Sequence, residues 1–213
     1  MMTIKAATAV AGSLGYPSKM PGTSYGIPAQ ACNVGSKLAK VAGSTCSKCY
    51  ALRGNYIFRD VKKSQATRLA GIAHPDWAES MVRLLTAAHA KGNLPPFHRW
   101  HDSGDLQSRD HLAKICAVAR ATPELRHWLP TREGKILRDF IRDGGTIPEN
   151  LTIRLSATMI DGGAPSAWPN TSTVHDASAG NGHRCPAPQQ GNKCAECRVC
   201  WDASVPNVSY HVH

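Results

Sequence analysis

Seven of the eight cysteines in this 213-residue chain fall into two groups near its opposite ends, and any fold it adopts has to accommodate both. The first group is Cys32-x13-Cys46-x2-Cys49, and the second is Cys185-x8-Cys194-x2-Cys197-x2-Cys200, followed by Trp201. Secreted disulfide proteins spread their cysteines through a short chain. Cys-x-x-Cys spacings in a long chain without an export signal point instead to metal ligation. Four thiolates within sixteen residues can wrap one ion or one cluster, because two-residue gaps let successive sulfurs turn toward a common centre. Tetrahedral zinc meets that chemistry. So does a four-iron cluster, for which repeated two-residue gaps and a proline beside a ligand, here Cys185-Pro186, are familiar. Zinc sites more often pair two Cys-x-x-Cys knuckles across a longer gap, so iron–sulfur leads. The three cysteines of the first group suit a 4Fe-4S cluster with one iron left open to a substrate, a cofactor or a fourth ligand. In the alternative, Cys46 and Cys49 complete another site and Cys32 is incidental. The expectation is one or two 4Fe-4S clusters, with zinc as the alternative at Cys185, Cys194, Cys197 and Cys200. Cys116 stands apart, on the apolar face of a helix, and reads as a small buried hydrophobe.

Between the two groups the pattern alternates helix and strand. Residues 12–56 are rich in Gly, Pro and Ser and read as loops around a site, with room for one short strand. Val61, Gln65, Arg68, Leu69 and Ile72 mark a helix. Trp77, Met81, Leu84, Leu85 and Ala88 mark a second, strongly amphipathic one that Gly92 stops. Phe97 to Asp102 reads as a strand. A helix through Leu112, Ile115, Cys116 and Ala119 follows, with Ser108 as its N-cap. Arg126 to Pro130 is a strand, Ile136 to Ile141 a helix closed by Gly144-Gly145, and Leu151 to Thr158 a strand. Ser172 to His175 adds one more strand within a loop-rich C-terminal segment.

Strand–helix alternation implies a parallel sheet, and ligands bind at the C-terminal edge of such sheets. That edge carries Ser103-Gly104-Asp105, Thr131-Arg132 and Ser156-Ala157-Thr158. A full eight-fold barrel takes roughly 250 residues, so the fold class expected is α/β, a partial (β/α) barrel with cysteine-rich loops at both ends. The organisation expected is a cysteine loop and barrel over 1–160, with a cysteine-rich segment over 161–213 packed on the same domain. His98 and His101 sit on a strand, where alternation lets at most one face inward. Arg132 is placed as an anion clamp. His211 and His213 read as a solvated tail.

The formal charge of +10 comes from 25 basic and 15 acidic residues. It is compatible with nucleic acid or another anionic partner, although no nucleic-acid motif accompanies it. A four-cysteine cluster with a 2+ core carries about −2, so part of the basic excess can balance cofactor charge. No apolar run approaches the roughly 18 residues of a membrane span, and no signal core is present. A non-membrane, cytoplasmic protein is expected.

The residues also carry a family resemblance. Ile27-Pro28-Ala29, Cys32, Cys46-x2-Cys49-Tyr50-Ala51 with Gly54 and Tyr56, Ser103-Gly104-Asp105-Leu106, Thr131-Arg132, Leu155-Ser156 and the final Cys185-Pro186…Cys194-x2-Cys197-x2-Cys200-Trp201 occur in one order along nearly the whole chain. This set resembles the phage-encoded gene product 88 family, which places the protein in the host cytoplasm. The layout is also distantly similar to radical S-adenosylmethionine enzymes. These are partial barrels with three cysteines after the first strand and a glycine–acid motif ending the second. That likeness implies Cys32, Cys46 and Cys49 around a central cluster, and an auxiliary cluster at the C-terminal cysteines. It also implies Ser103, Gly104, Asp105, Thr131, Arg132 and Ser156 around S-adenosylmethionine, and an electron donor as partner. Those enzymes space their cysteines Cys-x3-Cys-x2-Cys, whereas the first gap here is thirteen residues, Lys48 precedes Cys49, and the acid is Asp105. A non-catalytic iron–sulfur module for electron transfer or sensing is the second reading. A zinc-stapled nucleic-acid-binding protein is the third.

Overall fold

The computed structural model describes residues 2–212. Its framework is one parallel sheet of β1 (Thr23–Tyr25), β2 (Phe97–Trp100), β3 (Arg126–Thr131), β4 (Leu151–Ile160), β5 (Thr171–His175), β6 (His183–Arg184) and β7 (Asn207–His211). The strands lie in the order β1-β2-β3-β4-β5-β7-β6, so β1 and β6 are the edges. Every neighbouring pair is parallel, which obliges the chain to cross back between strands, and helices supply the crossings from β1 through β4. They are α3 (Arg59–Gly71), α4 (Trp77–His89), α5 (Arg109–Ala121) and α6 (Gly134–Arg142), with α1 (Ile4–Ala11) before the first strand and a short α2 (Asn33–Leu38) after it. The α/β class and the parallel sheet agree with the alternation in the sequence.

Helix limits follow local chemistry. The Ser108 hydroxyl accepts from the His111 N–H at 3.1 Å and starts α5. The same device, Thr3 accepting from the Ala6 N–H at 3.1 Å, starts α1, whose Ala-rich run carries little periodic signal. Gly144 ends α6 with φ +86°. Helices α1, α4, α5 and α6 cover one face of the sheet. Ala7, Ala11, Trp77, Met81, Leu85, Leu112, Ile115 and Leu137 pack there on Tyr25, Trp100, Leu129, Leu151, Ile153 and Leu155. Cys116 lies fully buried in this core.

Three local expectations need correction. His98 and His101 are both buried, because the strand ends at Trp100 and His101 turns out of it with φ +55°. Strand alternation therefore no longer governs its side chain. His211 is the last residue of β7 rather than part of a tail, while His213 lies outside the described residues. The C-terminal segment holds β7 and β6 besides the expected β5, and all three extend the same sheet.

The second face of the sheet is polar and aromatic. In-register pairing of Arg99 with Trp128 and of Trp128 with Thr152 sets these three side chains on it. Trp201, from the C-terminal cysteine segment, covers the start of the strands here. Its ring meets Phe97 and Trp128 at 5.2 Å each, and its carbonyl accepts from the Thr152 hydroxyl at 2.9 Å.

Candidate metal centres

The loop bearing the first cysteine group is hooked over the C-terminal end of β4. The Ile160 N–H donates to the Gly43 carbonyl at 2.9 Å, the Thr45 N–H donates to the Thr158 carbonyl at 2.9 Å, and Ser44 bridges Met159. β4 outruns β3, which reaches only to the level of Leu155, so this overhang is free to pair with the loop. Cys46 is thereby held above the sheet edge. Cys32 precedes α2, whose first turn is anchored by the Glu133 carboxylate accepting from the Val34 N–H at 2.8 Å. The two sulfurs converge over Gly35. A Cβ at that glycine would stand 3.5 Å from Cys32 Sγ, 3.6 Å from Cys46 Sγ and 3.0 Å from Cys32 Cβ. Cys49 lies near enough for its charge to act on both other thiols. Burial above all, then Asp105, Cys49 and Cys46, pushes the Cys32 thiol up to about 12. Burial likewise raises Cys46, with the Arg132 guanidinium opposing it. Cys32 and Cys46 therefore resist ionisation unless a cation answers their charge.

The Ser103-Gly104-Asp105 motif reaches the same edge, but its polar atoms are committed within the fold. Asp105 Oδ1 accepts from the Leu106 N–H at 2.8 Å and the Thr131 hydroxyl at 2.5 Å, and Oδ2 accepts from the Arg132 N–H at 2.9 Å. Asp105 thus staples the turn after β2 to the end of β3. Ser103 Oγ accepts from Gln65 Nε2 at 2.7 Å and donates to the Ile27 carbonyl at 2.8 Å. Gly104 has φ +77°, and a Cβ there would strike Ile27 at 2.3 Å. Ser156 Oγ pairs with Ser172 Oγ at 3.0 Å. Arg132 is placed differently. Its Nε donates to Thr45 Oγ1 at 3.0 Å, next to Cys46, and its charge acts on Cys32, Cys46 and Asp105.

The second group assembles from loops tied to β7 and the N-terminal segment. The Cys185 N–H donates to the Ser209 carbonyl, and the Cys194 N–H to the Lys19 carbonyl, both at 2.8 Å. Cys197 Sγ lies 4.0 Å from His183 Nε2, and Cys200 Sγ lies 3.1 Å from the Tyr210 hydroxyl. Burial raises the Cys185 and Cys194 thiols, and each feels the charge of its neighbours in the group. Burial pushes Cys200 up to about 12 against the Tyr210 hydrogen bond.

Arg154 builds this site from below and was missed by sequence reasoning. It is fully buried, and its guanidinium donates to the carbonyls of Thr171, Val199, Cys200, Asp202 and Val205 at 2.7–3.3 Å. The available signal was an arginine in the middle of an otherwise buried strand. Gly35, Arg99, His183 and Tyr210 were also missed, and only the tertiary fold brings them to the cysteines.

All seven cysteines thus gather as two groups of three and four. Among the described residues, no set of three or more His, Cys, Asp or Glu side chains is drawn to the spacing of a single ion. A cluster spreads its thiolates over separate irons and holds them wider apart than one ion does. No helix is long and apolar enough to cross a membrane. A family model described as Gene product 88 matches residues 2–203, a span that includes both cysteine groups. No curated protein and no solved structure matches the chain.

Proposed function

The chain belongs to the gene product 88 family, and from that premise we propose that it is a phage iron–sulfur redox protein. One centre is held by Cys32, Cys46 and Cys49 and a second by Cys185, Cys194, Cys197 and Cys200. The observation that carries the reading is the convergence of Cys32 and Cys46 over Gly35, a cradle that a side chain would fill. The bound groups would supply one-electron chemistry and, in a four-iron cluster held by only three thiolates, one iron without a protein ligand that would be open to an outside one. Arg132 is the cation whose charge acts on Cys32 and Cys46. Asp105, Ser103 and Thr131 shape the site by fixing the loops, since their polar atoms already have partners. The sheet is read as the wall of a partial barrel with the cysteine loops in its mouth and floor, and the sequential order of β1 to β5 supports this. The protein would act in the host cytoplasm with an electron donor as partner.

A second reading is radical-type catalysis with S-adenosylmethionine on the open iron. It is favoured by the count of three, not four, cysteines in the first group. Both readings are tested by purifying the protein without oxygen and measuring iron, sulfide, absorbance and the paramagnetic resonance of the reduced form. A brown protein with roughly four to eight irons supports the proposal. Perturbation of the resonance by S-adenosylmethionine supports the catalytic reading, and no perturbation supports the redox module. A colourless zinc protein that binds nucleic acid with a steep salt dependence would overturn both.

A further inference from the structure

Residues 48–63 lead from the first cysteine group through two short 3-10 turns, Tyr50–Leu52 and Gly54–Ile57, into the start of α3. Folding leaves their large apolar side chains open to solvent. Tyr50, Leu52 and Ile57 are 42–49% exposed, and Phe58 is 60% exposed. An exposed apolar patch rimmed by polar residues marks a contact surface. Here the rim is cationic. Lys48, Arg53, Arg59, Lys62 and Lys63 are all exposed, and Asp60 is the only carboxylate among residues 48–63.

These cations are not spent within the fold. Among the described residues, none of the five lies within ion-pair distance of a carboxylate. On α5 and α6 the reverse holds: Arg109, Lys114, Lys135 and Arg142 are all paired with aspartates. Part of the basic excess is thus left unanswered where aromatic rings are also exposed. Arg59, Lys62 and Lys63 are three and four residues apart, so they share one side of α3. They follow directly on Phe58, whose carbonyl accepts from the Lys62 N–H at 2.9 Å. Arg53 Nη2 donates to the Lys48 carbonyl at 2.7 Å, which ties its guanidinium to the start of the segment. The Tyr50 ring is held in place as well. Its hydroxyl donates to the Asp102 carbonyl at 2.6 Å and accepts from Arg99 Nη2 at 3.3 Å, and its ring lies 5.6 Å from that of Tyr56. A ring already fixed loses little freedom when a ligand settles on it.

We infer that residues 48–63 form a binding surface for single-stranded nucleic acid. Phe58 and Tyr50 are the stacking platforms for bases, and Lys48, Arg53, Arg59, Lys62 and Lys63 are the cations that follow the phosphates. A single strand is favoured over a duplex because exposed rings need free base faces, which a duplex keeps inside its own stack. A lipid surface would answer the charge too, but it uses tyrosine with its hydroxyl turned out to the wet headgroup layer. The Tyr50 hydroxyl is turned inward to Asp102 and Arg99. None of these side chains is a proposed metal ligand, so the inference stands apart from what the cysteines hold.

The test uses the full-length chain, prepared without oxygen and with its metal content measured. It is titrated at several salt concentrations against a labelled oligothymidine strand, a labelled duplex of equal length, and vesicles of phosphatidylcholine and phosphatidylserine. The strand should bind more tightly than the duplex, with affinity falling as salt rises. Phe58→Ala should weaken strand binding about tenfold and leave the salt dependence unchanged. Lys62→Gln combined with Lys63→Gln should make the salt slope shallower by about 0.7 for each cation removed. All three positions are exposed, so circular dichroism and metal content should match the parent, and either variant decides the matter if the other fails to fold. No strand binding, a preference for duplex, or strand binding that neither variant weakens overturns the inference. Binding to the vesicles alone overturns it in favour of a lipid partner. The metal analysis of the parent decides the iron–sulfur reading separately, so failure of one is not mistaken for failure of the other.

Discussion

Gly35 and Arg154 are single residues that decide opposite things. Gly35 sits in α2 with ordinary helical backbone, so a side chain there is tolerated by the helix, but its Cβ would stand 3.0 Å from Cys32 Cβ and any larger group would reach the two sulfurs above it. Gly35→Val should keep the circular dichroism of the parent and lose the iron of the first group, read as a fall of about half in a two-cluster protein. Arg154 carries no such latitude. Arg154→Met leaves the carbonyls of Thr171, Val199, Cys200, Asp202 and Val205 without their buried donor. Hydrogen bonds to a charged donor contribute about 1.5–3 kcal/mol each when removed singly, and these are not additive. A loss on the order of 3 kcal/mol or more is expected in denaturant unfolding. Metal should leave the second cysteine group before the first.

Helices and strands differ in how openly they were written. α4 and α5 bury Trp77, Met81, Leu84 and Leu85, and Leu112, Ile115, Cys116 and Ala119, at the spacing the sequence displays. The Ser108 cap was equally legible because it acts within three residues. Ser108→Ala should cost about 1 kcal/mol in equilibrium unfolding, with no change in metal content. α1 was not legible, since an Ala-rich run looks alike on every face until α4 supplies something to pack against. β7 was obscured by the cysteines before it, although Val208 and Tyr210 alternate with polar neighbours. Its place between β5 and β6 joins residues far apart in the chain, which no local window shows.

Across the whole molecule, histidine burial has a consequence for acid stability. His98, His101, His111 and His127 are all buried, and desolvation holds each ring neutral. For His111 and His127 the value falls from 6.5 to about 3. The unfolded chain takes up protons below about 6.5 that the folded rings refuse, so the unfolded state gains as pH drops. Stability is therefore full above that point and declines as pH falls from about 6.5 toward about 3, by roughly 1.4 kcal/mol per pH unit for each such ring. Urea midpoints measured from pH 7.5 down to pH 4 should fall steeply. A flat profile would place these rings in contact with water.

Pattern and spacing along the chain determined the α/β class, the helices with a clear apolar stripe and the cysteines as two separate groups, because each depends on neighbours a few residues away. The tertiary structure decided that Gly35 underlies Cys32 and Cys46, that Asp105 is consumed in joining β2 to β3, and that Arg154 carries the C-terminal loop. For Asp105 and Arg154 the physical reason is the same: a buried polar atom takes the partner that the packed strands bring to it, and register across the sheet, not distance along the chain, selects that partner.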